Sequence, residues 1–311
     1  MHFAKETLLS SDFSTLLLQV YLQVMAFIAF AAGCFTLSYG IDLSFESHEI
    51  THFIYFLFPF ITTFPELTVY VYGLFSGKAG AEVAIGTALG EPFIVMTVGL
   101  LAYKLFTKRP LKMDSGSRDS LLTFIFASVI FFISYYIFRY ASVFLILLFV
   151  VYEYVAQKAF KREKHESLRK TPLIYTFAGL FLLSLTGKYV VDSTVYFAKL
   201  LSLPPSLISF LVIPLISSAP EIVAPFVFSK RKEQEQIASL IAELPLTMSV
   251  YPGLLMLVEN ISVPFPLALG IGISLSQAVL FILEEKTEKN ITTFTSFIFL
   301  ALFVITLRFL I

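Results

Sequence analysis

The feature that most limits this chain is a recurring apolar window of about 18–25 residues, the length that crosses roughly 30 Å of hydrocarbon as a helix. Ten such windows tile the sequence, over 14–38, 50–75, 79–104, 120–138, 140–157, 172–201, 204–229, 236–259, 264–283 and 291–310. Between the fifth and sixth lies AQKAFKREKHESLRKTP, the most charged connector, which leaves five windows on either side. With 57% of its 311 residues hydrophobic and 14% charged, the chain reads as an integral membrane protein and not as a soluble enzyme. The expectation is an all-α protein of ten transmembrane helices, with five-helix halves at 1–157 and 172–311 joined by a basic connector at 158–171.

The start, MHFAKETLLSSDFS, lacks the basic stretch, short apolar core and small-residue cleavage site of a signal peptide, so the first window is expected to direct insertion. A single cysteine, Cys34, excludes an intramolecular disulfide and is expected to be a small buried residue. Basic residues gather in alternate connectors: Lys104, Lys108, Arg109, Lys112 and Arg118, then the 158–171 segment, then Lys230, Arg231 and Lys232, then Lys286 and Lys289. The other side holds only Lys5, Lys78, Arg139, Lys199 and Arg308. The positive-inside rule therefore places both termini outside and the central connector in the cytoplasm of a cell-membrane protein. These clusters set topology; no nucleic-acid partner and no obligate protein partner is implied.

Within this apolar background two octets repeat. PFITTFPE at 59–66 and PLISSAPE at 214–221 share Pro59/Pro214, Ile61/Ile216, Pro65/Pro220 and Glu66/Glu221, 155 positions apart. They fall in the second window of each half, and five windows per half make the second copy enter the membrane from the opposite side, giving inverted-topology repeats. A second pair follows at an offset of 152: GTALGEPF at 86–93 and ASLIAELP at 238–245, with Gly86/Ala238, Thr87/Ser239, Gly90/Ala242 and Glu91/Glu243 in register. Each half thus carries two glutamates on consecutive helices.

The spacing dictates what these residues do together. Thr62, Thr63 and Glu66 share one helix face, as do Ser217, Ser218 and Glu221, because positions three and four apart stack on a helix. Thr87 and Ser239 add hydroxyls four residues before Glu91 and Glu243. Pro65 and Pro220 donate no backbone hydrogen bond and weaken the helix beside each octet. Carboxylate, hydroxyl and carbonyl oxygens are the ligands of calcium and, with fewer charges, of sodium. An ionised glutamate near the bilayer centre costs on the order of 2.5–3.5 kcal/mol, so four unsatisfied ones would cost roughly 10 kcal/mol. Small-xxx-small packing and simple proline kinks account for GTALG and the prolines taken alone, but not for four buried acids.

These motifs resemble the calcium/cation antiporter superfamily, the sodium/calcium exchangers and their proton-coupled relatives, whose alpha repeats read G-T/S-S-x-P-E in one helix and G-N-x-x-G-S-N in the next. TTFPE and SSAPE match the first motif, which implies alpha repeats at about 52–104 and 206–259, calcium-binding roles for Glu66 and Glu221, and sodium-binding roles for Thr62, Thr63, Ser217 and Ser218. The second motif departs: Glu91 and Glu243 stand where the family has serine, and Val95 and Thr247 where it has asparagine or aspartate. The resemblance implies a secondary antiporter exchanging calcium or a similar divalent cation for sodium or protons by alternating access, with no cofactor, only inorganic cations and the lipid bilayer as partners, and the first and sixth helices sliding past a fixed core. Four converging carboxyls repel one another and so are expected to hold protons when no cation is bound. Lys188 and Asp192, four apart in the sixth window, form either a gating pair or a neutralised structural pair.

Two rival functions remain at this point. HEITH at 48–52 has the H-E-x-x-H form of a zinc protease, with His48 and His52 one helical turn apart. It stands at the expected mouth of the second window, where Ser47 and Glu49 also suit an interfacial helix start, and His2 and His165 are the only other histidines. A passive cation channel is the other. The sequence holds no phosphate-binding glycine loop and no nucleophile elbow.

Overall fold

A computed structural model describes residues 2–45, 58–107, 113, 115–159, 170–227, 238, 240–258, 263–287 and 291–310. Helices account for nearly all of it. In chain order they are α1 (His2–Phe45), α2 (Phe58–Thr62), α3 (Phe64–Phe75), α4 (Gly77–Ile94), a π-helical turn (Val95–Gly99), α5 (Leu100–Thr107), α6 (Ser115–Tyr136), a 3₁₀ turn (Arg139–Ala141), α7 (Ser142–Ala159), α8 (Lys170–Leu201), α9 (Pro205–Ser217), α10 (Ala219–Val227), α11 (Leu244–Val258), α12 (Phe265–Thr287) and α13 (Ile291–Leu310). Among the described residues six helical stretches are long and apolar enough to cross a membrane, at Ser14–Ile41, Gly77–Leu105, Ser115–Tyr136, Thr171–Leu201, Leu240–Val258 and Phe265–Glu285. The molecule is an all-α integral membrane protein.

Three of the expected windows are interrupted where the sequence places proline. The 50–75 window breaks at Thr63, two residues before Pro65, and the 204–229 window breaks at Ser218, two before Pro220. Proline at 65 and 220 deprives the carbonyls of Ile61 and Ile216 of their i+4 donors. The 236–259 window breaks at Glu243, two residues before Pro245. In the 79–104 window Pro92 lies inside α4, and one turn later the helix widens to π geometry over Val95–Gly99, a form that concentrates at functional sites.

The long span made of α4, the π turn and α5 is the centre of the molecule, with 94% of its most apolar window buried. Its glycines explain how. A Cβ on Gly86 would lie 2.0 Å from Ser209 Oγ and 2.2 Å from the Ser206 carbonyl, and one on Gly90 would lie 2.1 Å from the Phe210 carbonyl. GTALG is therefore the surface on which α9 crosses α4. Behind it Phe93, Phe210 and Phe303 pack ring against ring, with centroids 4.5–5.7 Å apart, and tie α13 to the same core.

The peripheral pair is α1 and α8. They run antiparallel: Gly33 meets Leu183, Leu37 meets Gly179, Gly40 meets Thr176, and Gln23 accepts a hydrogen bond from Ser193. Only 22% and 28% of their apolar windows are buried, so most of their surface faces outward. α1 is longer than its 14–38 window, with 44 helical residues. Lys188 and Asp192 are both exposed on α8 and no ion pair joins them, so neither the gating pair nor the structural pair is formed here.

Charged side chains that seemed to belong to connectors also hold the core. Lys104 is buried against Glu284 of α12, their side chains 3% and 1% exposed, instead of facing the cytoplasm. Arg118 adds a more exposed ion pair to Glu285 at 3.0 Å. Arg139 caps α11, donating to the carbonyls of Met256 and Leu257, where a cation suits the helix's negative end.

Two stability tests follow from these contacts. Gly90→Ala drives a methyl into the Phe210 carbonyl and should cost at least ~1–3 kcal/mol; Gly272→Ala, with open space around its Cβ, should be neutral or stabilising by up to ~1 kcal/mol. Lys104→Met should cost about 3–5 kcal/mol by stranding Glu284, and the double variant Lys104→Met, Glu284→Leu should recover much of it. Thermal unfolding of the detergent-solubilised protein measures both.

Candidate functional site

The breaks at Thr63, Ser218 and Glu243 bring four carboxyls into the interior. Glu66 and Glu91 are each 1% exposed and Glu243 is 2% exposed; Glu221 is partly covered, with its Oε2 fully shielded. They meet in two pairs. The Glu66 carboxyl lies within hydrogen-bonding reach of Glu91 and of Ser217, and the Glu221 carboxyl within reach of Glu243. Electrostatic contact crosses between the pairs as well, from Glu91 to Glu243 and from Glu221 to Glu66.

The hydroxyls of the two octets surround these acids. Ser218 Oγ donates to Glu91 Oε1 at 2.9 Å, and Thr62 reaches Glu243. The remaining hydroxyl protons turn back on the helix: Thr63 Oγ1 donates to the Pro59 carbonyl at 2.6 Å and Ser217 Oγ to the Ile213 carbonyl at 3.0 Å. A hydroxyl that donates to its own helix still has lone pairs for a second partner. Thr87 donates to the Val83 carbonyl at 2.9 Å and Thr247 to the Glu243 carbonyl at 3.1 Å; both are fully buried. Ser239 and HEITH, with His48 and His52, lie outside the described residues, as does His165.

One oxygen of each carboxyl is left without a donor. Glu66 Oε2, Glu91 Oε2, Glu221 Oε2 and Glu243 Oε1 are buried and accept no hydrogen bond from the described residues. Such orphaned acceptors cost free energy unless a proton or a cation satisfies them. Among the described residues no three acidic, histidine or cysteine side chains stand close enough to form a metal cluster by themselves. The arrangement is two carboxyl pairs with hydroxyls of both octets beside them.

Three residues beside the site gave no repeat signal in the sequence. Tyr251 of α11 is 3% exposed and its Oη donates to Thr63 Oγ1 at 3.1 Å. Tyr70 of α3 stacks on it, centroids 4.9 Å apart, and donates to its carbonyl at 2.7 Å. Cys34 of α1 is buried within electrostatic range of Glu66, Glu91 and Glu221, which places the peripheral α1 directly alongside the acids.

Comparison with known proteins bears on the fold and the family. Among solved structures, the sodium-calcium exchanger NCX_Mj soaked with 10 mM Na+ and zero Ca2+ is similar with a TM-score of 0.61 at 20% identity, over 93% of this chain and 99% of that one. NCX_Mj soaked with 2.5 mM Na+ and 0.1 mM Sr2+ gives a TM-score of 0.62 at 18% identity, over 94% and 98%. The H+/Ca2+ exchanger CAX gives 0.58 at 12% identity, over 92% and 85%. At these identities the likeness speaks for the fold. No curated protein sequence matches the chain. The sodium/calcium exchanger protein family itself matches residues 18–157 and 171–311, a stretch that includes HEITH and both glutamate repeats. The chain belongs to the sodium/calcium exchanger protein family.

Proposed function

We propose that this protein is a secondary antiporter that carries calcium, or a similar divalent cation, across the cell membrane in exchange for sodium or protons. The observation that carries the proposal is the meeting of Glu66 with Glu91 and of Glu221 with Glu243 in the interior, each carboxyl keeping one unpartnered oxygen. Two carboxyls at hydrogen-bonding distance require a proton or a cation between them, because bare like charges repel. A divalent ion supplies the charge that two such pairs lack, and Thr62, Thr63, Ser217 and Ser218 supply neutral oxygens of the kind calcium and sodium accept. When the ion leaves, protons restore the balance.

The counter-ion follows from the same residues. The similar structures comprise a sodium-calcium exchanger and a H+/Ca2+ exchanger, and Glu91 and Glu243 bring this chain a second pair of proton-binding groups. That favours protons as a counter-ion, with the octet hydroxyls available to sodium. Thr87 and Thr247, both fully buried, offer further hydroxyl oxygens four residues before Glu91 and four after Glu243, and the sequence pattern gives Ser239 the same spacing before Glu243.

The proposed topology is ten helices in two inverted five-helix repeats, 1–157 and 172–311, with both termini outside and the basic 158–171 connector in the cytoplasm. The equal breaks two residues before Pro65 and Pro220 support the repeat, and the antiparallel, outward-facing α1 and α8 suit a pair that moves as a unit past the core. Alternating access in such repeats exposes one midplane site to each side in turn.

Reconstitution in liposomes tests the activity. Calcium uptake driven by an outward proton or sodium gradient is expected in the parent protein and should fall at least ~100-fold in the Glu66→Gln, Glu221→Gln variant, since losing two charged ligands at roughly 1.5–3 kcal/mol each compounds. Uptake that needs no counter-ion would make the protein a channel and sink the proposal. The apparent affinity for calcium should also rise as pH rises, because protons and calcium compete for the same carboxyls; removing protons from the unloaded site favours the loaded one. Substituting Glu91 and Glu243 with Gln should flatten that pH dependence, as read from calcium-uptake curves across a pH series.

A further inference from the structure

The two halves of the site are built from one sequence pattern, yet the hydroxyl that follows each break is used differently. On one side Ser218 Oγ gives its proton directly to Glu91. On the other, Thr63 Oγ1 gives its proton to the Pro59 carbonyl and receives one from Tyr251 Oη at 3.1 Å. With its proton and one lone pair both engaged, Thr63 has a single lone pair left, and the two hydrogen bonds fix where that lone pair points. Thr63 precedes Glu66 by three residues and so shares its helix face.

Tyr251 is held for this task. Its ring stacks on Tyr70, with centroids 4.9 Å apart and planes at 22°, and its own carbonyl accepts the Tyr70 hydroxyl at 2.7 Å. The two tyrosines therefore clamp α3 to α11 reciprocally: one hydroxyl runs from α3 to the backbone of α11, the other from α11 to the break before α3. Tyr251 also lies within electrostatic range of Glu66, Glu243 and Glu91. The positions related to the two tyrosines by the sequence repeat do not carry the clamp. The position matching Tyr70 is Pro225, and the position matching Tyr251 is Gly99. Gly99 sits in the π turn, where a Cβ would already be in ordinary contact with the Ile94 carbonyl, Leu240 and Ile222 at 3.7–3.9 Å, so that side has no phenol where its counterpart has one.

We infer that Tyr251 is a positioning residue that fixes the Thr63 oxygen for the transported cation, a brace the Ser218 hydroxyl does not have. The inference rests on the exchange reading of the same site. Its consequence is specific: the hydroxyl of Tyr251, not its ring, sets cation affinity, and it does so only through Thr63.

Tyr251→Phe keeps the ring and the stacking and removes the one hydroxyl. In liposomes the variant should raise the calcium concentration for half-maximal uptake by about fivefold, the worth of one hydrogen bond of about 1 kcal/mol, with maximal rate within about twofold of the parent. The same substitution should have no further effect in a Thr63→Val background and its full effect in a Ser218→Ala background. Calcium-dependent thermal stabilisation of the purified protein gives a second affinity that requires no transport. An unchanged affinity in Tyr251→Phe, an equal effect with and without Thr63, or a loss of maximal rate at unchanged affinity would each overturn the role given to Tyr251. Absence of exchange in the parent protein would instead overturn the functional reading, and the thermal measurement would still decide for or against the tyrosine.

Discussion

Everything in this molecule answers to the cost of placing carboxyls where water is absent. Glu66, Glu91 and Glu243 are almost wholly buried, and Glu221 joins them with a shielded oxygen. No lysine or arginine among the described residues is spent on them; the buried Lys104 is committed to Glu284. Among the described residues hydroxyls such as Ser218 stand against them instead, and the proposed exchange supplies the rest of the compensation as protons or a cation. A site with a resident counter-charge would be stable and inert. One that lacks it has a standing need for an exchangeable ion, which is the thermodynamic condition for a transporter of this class.

That need explains the surrounding architecture. Hydroxyls and carboxyls face one another across four elements only if those elements come close, and closeness is supplied by small residues: Gly86 and Gly90 let α9 cross α4 with carbonyls nearly in the place of a side chain. The prolines act at the same points for a different reason. By removing donors at 65, 220 and 245 they end one helical segment and start another beside the acids, so that Thr63, Ser218 and Glu243 lie at turns and not in mid-helix. Packing motif and functional motif are thus the same residues, and weighing one reading against the other sets up a false choice.

The parts of this design that repeat along the chain were legible in the sequence. PFITTFPE and PLISSAPE located both breaks and both hydroxyl faces, and GTALGEPF located the central helix with its glycines. What failed to show was what occurs once. Tyr251 has no counterpart at Gly99, so no comparison of halves singles it out, and an aromatic in an apolar helix is ordinary. Lys104 and Glu284 are 180 residues apart, and a lysine at a window's edge reads as a topology signal until the fold buries it. Pairing of the acids was likewise hidden: spacing places Glu66 and Glu91 on successive helices, but only the turn at Gly77, with its positive φ of 72°, and the close approach of Gly73 to Gly80 bring those helices near enough for the carboxyls to meet.

The departures from symmetry have one further consequence. Pro92 follows Glu91 directly, whereas Pro245 follows Glu243 by two positions. The first leaves Glu91 within a helix that continues into the π turn; the second leaves Glu243 at a break, with a new helix beginning at Leu244. Two glutamates in one sequence register are thus mounted on backbones of different geometry, and the Tyr70–Tyr251 clamp adds to the difference. In a perfectly twofold transporter the inward-open and outward-open states would be equal in energy by symmetry. Here that symmetry is broken beside the acids: Tyr251 of α11 reaches Thr63, and the position related to Tyr251 is Gly99. The asymmetry comes from a phenol present in one half and absent from the other, with the four glutamates left in register.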